Sequence, residues 1–264
     1  MRSNPFDDAL TRVRPRLGRL ATSFHFFPSI GSTNDYALSL VTEGAVVVAD
    51  AQTAGRGRRG HTWFSPPGSG LYVSVVLTPA RARIDARRAT SLVTIMAGVA
   101  LAEGIGQATG LEVSLKWPND LFVARRKLGG ILAESSGTAG SIGAVTVGYG
   151  INVSATAFPR ELSDRATSLE SELGREVDRS HVLAETLAAL AERYDDLLAG
   201  RFDAILDGWR EKAAALRGAF VSWTTADGVV SGQTVGIDLD GALLVRRGDA
   251  IERIVAGEVN WMDR

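Results

Sequence analysis

The stretch that most constrains this fold is Gly55-Arg56-Gly57-Arg58-Arg59-Gly60. Its glycines have the G-x-G-x-x-G spacing of a dinucleotide-binding turn, in which a strand leads in and a helix N-terminus holds the pyrophosphate. A strand does lead in, because Ala45-Val46-Val47-Val48-Ala49 is a short apolar run rich in β-branched residues. No helix follows. The chain continues His61-Thr62-Trp63-Phe64-Ser65-Pro66-Pro67-Gly68-Ser69-Gly70, and two prolines flanked by glycine cannot make the first turns of a continuing helix. The stretch is therefore a mobile loop and not a strand-to-helix elbow. Three arginines on a glycine backbone place fixed positive charge and many N–H donors on a chain able to wrap a ligand, which suits a polyphosphate or an adenylate. A solvated arginine loop has the same composition.

Ser32-Thr33-Asn34-Asp35 ahead of Tyr36-Ala37-Leu38 reads as an N-capped helix. Strands are predicted at 45–49 and 71–77, then at 113–116 leading into 120–123, at 130–134 and at 143–147. Apolar residues at helical spacing predict a long helix over about 86–108, with two more over about 178–199 and 201–216. This pattern is an α+β domain, a mixed β-sheet with helices. From Gly218 the texture changes to short alternating strands: 220–223, 229–237, an Asp240-Gly241 turn, 242–245 and 252–259. The boundary therefore falls between domains 1–217 and 218–264. The second is a small β-barrel too short to be stable alone, so it docks on the first.

Of the 264 residues 45% are hydrophobic, ample for a core. There is no cysteine, and His25, His61 and His181 are scattered, which excludes thiolate chemistry and a zinc site of ordinary spacing. A net charge of −1 argues against a general nucleic-acid partner. Arg81, Arg83, Arg87 and Arg88 flank a helix start without interleaved aromatics and read as a solvated face. The residues show no uninterrupted apolar run of membrane-spanning length and no signal peptide at the start, so the expected location is cytoplasmic, with no membrane partner.

Three further clusters follow the arginine loop: Lys116-Trp117-Pro118-Asn119-Asp120, Lys127-Leu128-Gly129-Gly130-Ile131-Leu132 and Gly148-Tyr149-Gly150-Ile151-Asn152-Val153. Taken one at a time each has a structural reading. Ser32 and Thr33 can simply cap a helix, Trp63 can be core, Pro118-Asn119-Asp120 can be a plain turn, and Lys127 can belong to a solvated run with Arg125 and Arg126. In succession, from about Phe24 onward, the Ser-Thr-Asn cap, the arginine loop ending in a tryptophan and these three clusters closely resemble the biotin–protein ligases. The resemblance implies a catalytic domain like that of class II aminoacyl-tRNA synthetases with an SH3-like barrel behind it. It also implies two steps. Biotin and ATP give biotinyl-5′-adenylate and pyrophosphate, then a lysine of a biotin carboxyl carrier domain attacks the activated carbonyl. The first step needs no protein nucleophile, since the biotin carboxylate attacks the α-phosphorus and catalysis is positioning plus charge neutralisation.

Carried over by the motifs, Lys127 stands between the biotin carboxylate and the α-phosphate and Arg58 is a second catalytic cation. Ser32, Thr33, Asn34, Gln52, Gly55, Arg56, Gly130 and Gly148 join Lys127 around biotin. Arg56, Arg58, Arg59, Trp63, Lys116, Asn119, Asp120 and Asn152 meet the nucleotide, Asp120 helps hold Mg²⁺, and an adenine-side loop falls within about Ala155–Ala166. His61-Thr62 replaces basic residues that many relatives carry there, which affects fine phosphate contacts. Only about 30 residues precede Ser32, too few for a winged helix-turn-helix, so operator binding is not expected. Two rivals stay open, a lipoate or octanoate ligase lacking such a loop and a non-catalytic biotin-sensing module; so do monomer and homodimer.

Overall fold

Strands β2 (Ala45–Ala49) and β3 (Gly70–Leu77) are buried at every position, as continuous apolar runs must be when both faces of a sheet are covered. They lie within a seven-stranded sheet together with β1 (Ser23–Phe27), β4 (Ser114–Lys116), β5 (Asp120–Val123), β6 (Arg126–Ser136) and β7 (Ala144–Asn152), in the order β1-β2-β3-β7-β6-β5-β4. Only β1 and β2 run parallel; the other ladders are antiparallel. The computed structural model describes residues 5–262 except 41, 137–142, 155–157, 160, 161, 163, 215, 216, 226, 227 and 258.

The two faces of this sheet are covered very unequally, and that inequality creates the site. One face carries α1 (Asp7–Val13), α4 (Val93–Thr109), α6 (Arg179–Ala199) and α7 (Phe202–Lys212) over a large core that takes Val46, Val48, Val73, Val75 and Ile131. The other carries the short α2 (Thr33–Leu38), whose Ala37 closes a small cluster with Ala45, Val47 and Val76. Helices α3 (Ala86–Ser91) and α5 (Leu169–Leu173) complete the described helices of α-type.

The expected elements appear with informative differences. The long helix kinks at Leu92 into α3 and α4. By length and composition Ala86–Thr109 would qualify to cross a membrane, contrary to the sequence reading, but it is apolar all round because 72% of its most apolar window is buried in the protein. The last predicted helix stops at Lys212. Strand β6 starts at Arg126 and not at Gly130; its first residues are charged, Arg126 pairing with Glu172 and Lys127 facing the cleft. The sequence reading has no counterpart to α1 and β1; Phe6, just ahead of α1, packs edge-on against Phe26 of β1.

The C-terminal segment forms β8 (Phe220–Thr225), β9 (Gly228–Ile237), β10 (Leu243–Arg247), β11 (Ala250–Ile254) and β12 (Val259–Trp261), a five-stranded antiparallel sheet of order β11-β10-β9-β8-β12. The single strand expected over 252–259 is thus two strands on opposite edges, divided around Val255–Gly257. The sheet docks on the larger unit through its β9–β10 turn. Gly241, at φ 82°, accepts a 2.9 Å hydrogen bond on its carbonyl from the Trp117 indole and abuts Leu92 and Ile95.

Helices α4 and α6 cross at Gly104, where a Cβ would lie 2.6 Å from Thr186 Cα and 2.8 Å from Glu185 O. Both are backbone atoms that cannot swing aside. Gly104→Val should therefore destabilise the fold by about 1–3 kcal/mol or more, read as a lowered urea midpoint; an unchanged midpoint would contradict this close approach.

Candidate functional site

On the thinly covered face lies a cleft of about 660 Å³ running from α2 to β12. Its inner end is neutral and hydrogen-bonded. Ser32 caps α2, its hydroxyl accepting from Asp35 N–H at 3.4 Å. Gln52 Oε1 accepts from the Thr33 amide at 2.9 Å and from the Thr33 hydroxyl at 3.2 Å, while Gln52 Nε2 donates to Ser65 Oγ at 2.9 Å. Asn34 is buried; its Oδ1 accepts from Ser74 Oγ at 2.6 Å and its Nδ2 donates to Glu134 at 2.9 Å. Gly148 has to be glycine, since a Cβ there would sit 2.0 Å from Asn34 Oδ1.

The arginine loop folds over this end as a small hairpin. Trp63 N–H donates to Gly55 O at 2.9 Å, Gly57 N–H donates to His61 O at 2.7 Å, and Arg56 pairs with Thr62 in an antiparallel bridge. Arg59 and Gly60 turn the tip with φ of 55° and 78°. Neither end of the hairpin hangs free. Arg56 reaches Asp35 and Glu134, each at 2.5 Å, and Arg58 donates to Asn119 Oδ1 at 3.1 Å. The Arg56 guanidinium is held further toward its charged form than usual, first by the hydrogen bond to Asp35, against the opposing effect of burial. A Cβ on Gly150 would fall 2.4 Å from Trp63 Nε1, so this glycine lets the indole lie on the sheet; among the described residues that buried N–H has no hydrogen-bond partner.

Lys127 occupies the middle of the cleft. The β5–β6 ladder shifts register between Leu121 and Phe122, so that Leu128 is an extra residue in β6. Such a bulge reverses facing beyond it, and it places Lys127 and Gly130 on the cleft side while Leu128 enters the core. The Lys127 ammonium lies 2.7 Å from Asp120 Oδ1 and 5.5 Å from the Trp63 ring centre. The Lys127 backbone also pairs with 165–167: its N–H donates to Arg165 O at 2.8 Å, and its carbonyl accepts from Thr167 N–H at 2.9 Å. Asn152 Nδ2 donates to Thr167 O at 3.0 Å. Residues 155–157, 160, 161 and 163 of the expected adenine-side loop lie outside the described residues.

The outer end is cationic and aromatic. Phe122 and Trp261 stack at 6.3 Å with planes 7° apart, Lys116 lies over both rings, and Arg125 lies over Trp261. Participants that escaped the sequence reading include Arg125, which reads there only as part of a charged run, and four others. Trp261 and Phe122 meet only through docking of the C-terminal sheet, and Asp35 and Glu134 look like ordinary helix-start and strand-end charges until Arg56 is seen between them. Among the described residues no group of three potential metal ligands exists. Of the cleft-lining carboxylates Asp120 and Asp164, Asp120 lies at the centre beside Lys127, and so few carboxylates would suit Mg²⁺, which prefers one or two of them together with phosphate oxygens.

A model described as the biotin/lipoate A/B protein ligase family matches residues 26–152, and one for a biotin protein ligase C-terminal domain matches 221–260. The bifunctional ligase/repressor BirA of Bacillus subtilis is 35% identical over 230 residues, which are 86% of this chain and 69% of that protein. This chain belongs to the biotin protein ligase family. Another relative, the biotin–[acetyl-CoA-carboxylase] ligase of Paracoccus denitrificans, is 34% identical over 237 residues, 86% of this chain and 96% of its own length. The biotin protein ligase of Aquifex aeolicus, solved in complex with biotin and ATP, superposes with a TM-score of 0.80 at 30% identity, covering 92% of this chain and all of that one. The mixed sheet with its helices, and the smaller sheet behind it, are the architecture of that biotin protein ligase.

Gly150→Ala should push Trp63 off the sheet and loosen the hairpin. Trypsin should then cut at Arg58 and Arg59 at least about tenfold faster than in the unmodified protein; equal cleavage rates would show that the indole does not depend on that glycine.

Proposed function

We propose that this chain is an ATP-dependent biotin protein ligase that forms biotinyl-5′-adenylate and then transfers biotin to a lysine of a biotin carboxyl carrier domain. The observation that carries the reading is the gradient along one cleft, with Lys127 at its midpoint: a neutral, fully hydrogen-bonded inner end and a cationic, aromatic outer end. Biotin has the same polarity, a small neutral ureido ring at one end and a carboxylate at the other. Ser32, Thr33, Asn34 and Gln52 suit the ring, with Gly148 making room for Asn34. Gly55 and Arg56 contribute through the hairpin backbone above it, and Gly130 leaves room beside Trp63, where a Cβ would lie 3.3 Å from the indole.

In this assignment the carboxylate ends beside the Lys127 ammonium, which exchanges Asp120 for the two reacting anions and holds them together. Arg58, Arg59 and Lys116 face the phosphates, Asn119 fixes Arg58, and Asn152 anchors the adenine-side segment through Thr167. Trp63 walls the junction against water. Asp120 would help hold Mg²⁺, which when bound would supply charge neutralisation to the phosphates. In the second step the same cations hold the adenylate while the carrier lysine, deprotonated, attacks the acyl carbon and AMP leaves. The division into a catalytic unit of 1–217 and a C-terminal unit of 218–264 assigns most of the cleft to the first, with Val259, Asn260 and Trp261 of its outer rim coming from the second.

Purified protein given ATP, Mg²⁺ and biotin should release pyrophosphate, and an added carrier domain should become streptavidin-reactive. Release with lipoate and not biotin would favour a lipoate ligase, and adenylate that never transfers would favour a sensor. Lys127→Ala should fold yet lose adenylation by roughly 10²–10³-fold or more, the scale of removing one preorganised charge donor; a near-normal rate would refute its role. Arg58→Gly should open the hairpin tip, so that adenylate escapes and labels bystander amines. If bystander labelling did not rise, Arg58 would not be a lid residue.

A further inference from the structure

We propose that Glu134 is a positioning residue, a latch that ties the floor of the biotin end to the arginine hairpin above it and so retains the adenylate. The inference rests on the ligase reading and adds to it a residue whose side chain touches neither reacting group. The two carboxylate oxygens of Glu134 are divided between two jobs. Oε1 accepts from Arg56 Nη2 at 2.5 Å, and Oε2 accepts from Asn34 Nδ2 at 2.9 Å.

Asn34 cannot turn away. Its Oδ1 is committed to Ser74, its Nδ2 also reaches Leu132 O at 3.3 Å, and Gly148 leaves it no spare volume. The amide nitrogen therefore has to face Glu134, and Glu134 in turn faces Arg56, which lies in the neck of the hairpin opposite Thr62. With its two terminal nitrogens on Asp35 and Glu134, the Arg56 side chain is spent on holding the hairpin, and phosphate contact falls to Arg58 and Arg59.

The two anchors are unequal. The Asp35 side chain is 57% exposed and that of Glu134 is 23% exposed, with the shared Arg56 at 39%. Water and salt weaken both pairs, but Glu134 has a second charge-assisted hydrogen bond, to the buried Asn34, that fixes its carboxylate. Glu134 is the anchor that matters.

The test reads a ratio that does not depend on how much enzyme is active: pyrophosphate released per biotin transferred to the carrier domain. In the unmodified protein retained adenylate keeps this ratio near one. Glu134→Gln, which preserves shape and removes charge, should raise it about tenfold, the scale of one lost charge-assisted hydrogen bond. Arg56→Gln, on the hairpin itself and no threat to folding, should raise it as much. The double variant should go no higher than the larger single, because both remove the same contact. Asp35→Asn should raise it less than either. A ratio that stays near one in both Glu134→Gln and Arg56→Gln overturns the latch, and so does a double variant in which the two increases multiply. An unmodified protein that releases no pyrophosphate with biotin fails the ligase reading itself, a result separate from an active protein whose variants retain adenylate normally.

Discussion

The site depends on a strip of sheet without side chains. Gly148 and Gly150 point to the same face of β7, and Gly130 stands directly across from Gly150 on β6. A strand interior pays in stability for each glycine, and here the space is filled by groups from outside the sheet: Asn34 over Gly148, and Trp63 over Gly150 and Gly130. A sheet with ordinary side chains at these places would be better packed and would have no room for either group, hence no seat for the hairpin.

Part of the charge around that strip is balanced within the protein. Arg56 is compensated by Asp35 and Glu134, Lys127 by Asp120, and Arg126 by Glu172. The cleft thus holds together before a ligand arrives, and a polyanion entering it competes with carboxylates for partners already in position. That ordering of cations in advance is what electrostatic catalysis requires, because the reorganisation has been done during folding.

Much of this was legible in the sequence, and the illegible part has definite causes. The strands at 45–49 and 120–123 match to the residue: the first is buried at every position and leaves an unbroken apolar signal, while the second alternates, with Leu121 and Val123 buried. The arginine loop was correctly denied a helix by Pro66 and Pro67, yet its hairpin pairing, set by Gly57–His61 and Gly55–Trp63, leaves no trace in composition. The start of β6 was hidden because Arg126 and Lys127 are polar residues, one held by Glu172 and the other turned to the cleft. Glu134 was missed for a different reason: its meaning comes from Asn34 and Arg56, which lie far from it along the chain and meet it only in the folded sheet.

The extra residue at Leu128 makes the central ammonium a matter of counting. Side chains in a strand alternate strictly, so a change of one in the number of residues between Asp120 and Gly130 would swing Lys127 toward the hydrocarbon layer beneath α4 and bring Leu128 up into the cleft. In this hairpin the length of the chain carries the chemical information as much as the identity of the lysine does, and exchange of neighbouring side chains is far safer than the gain or loss of a single one.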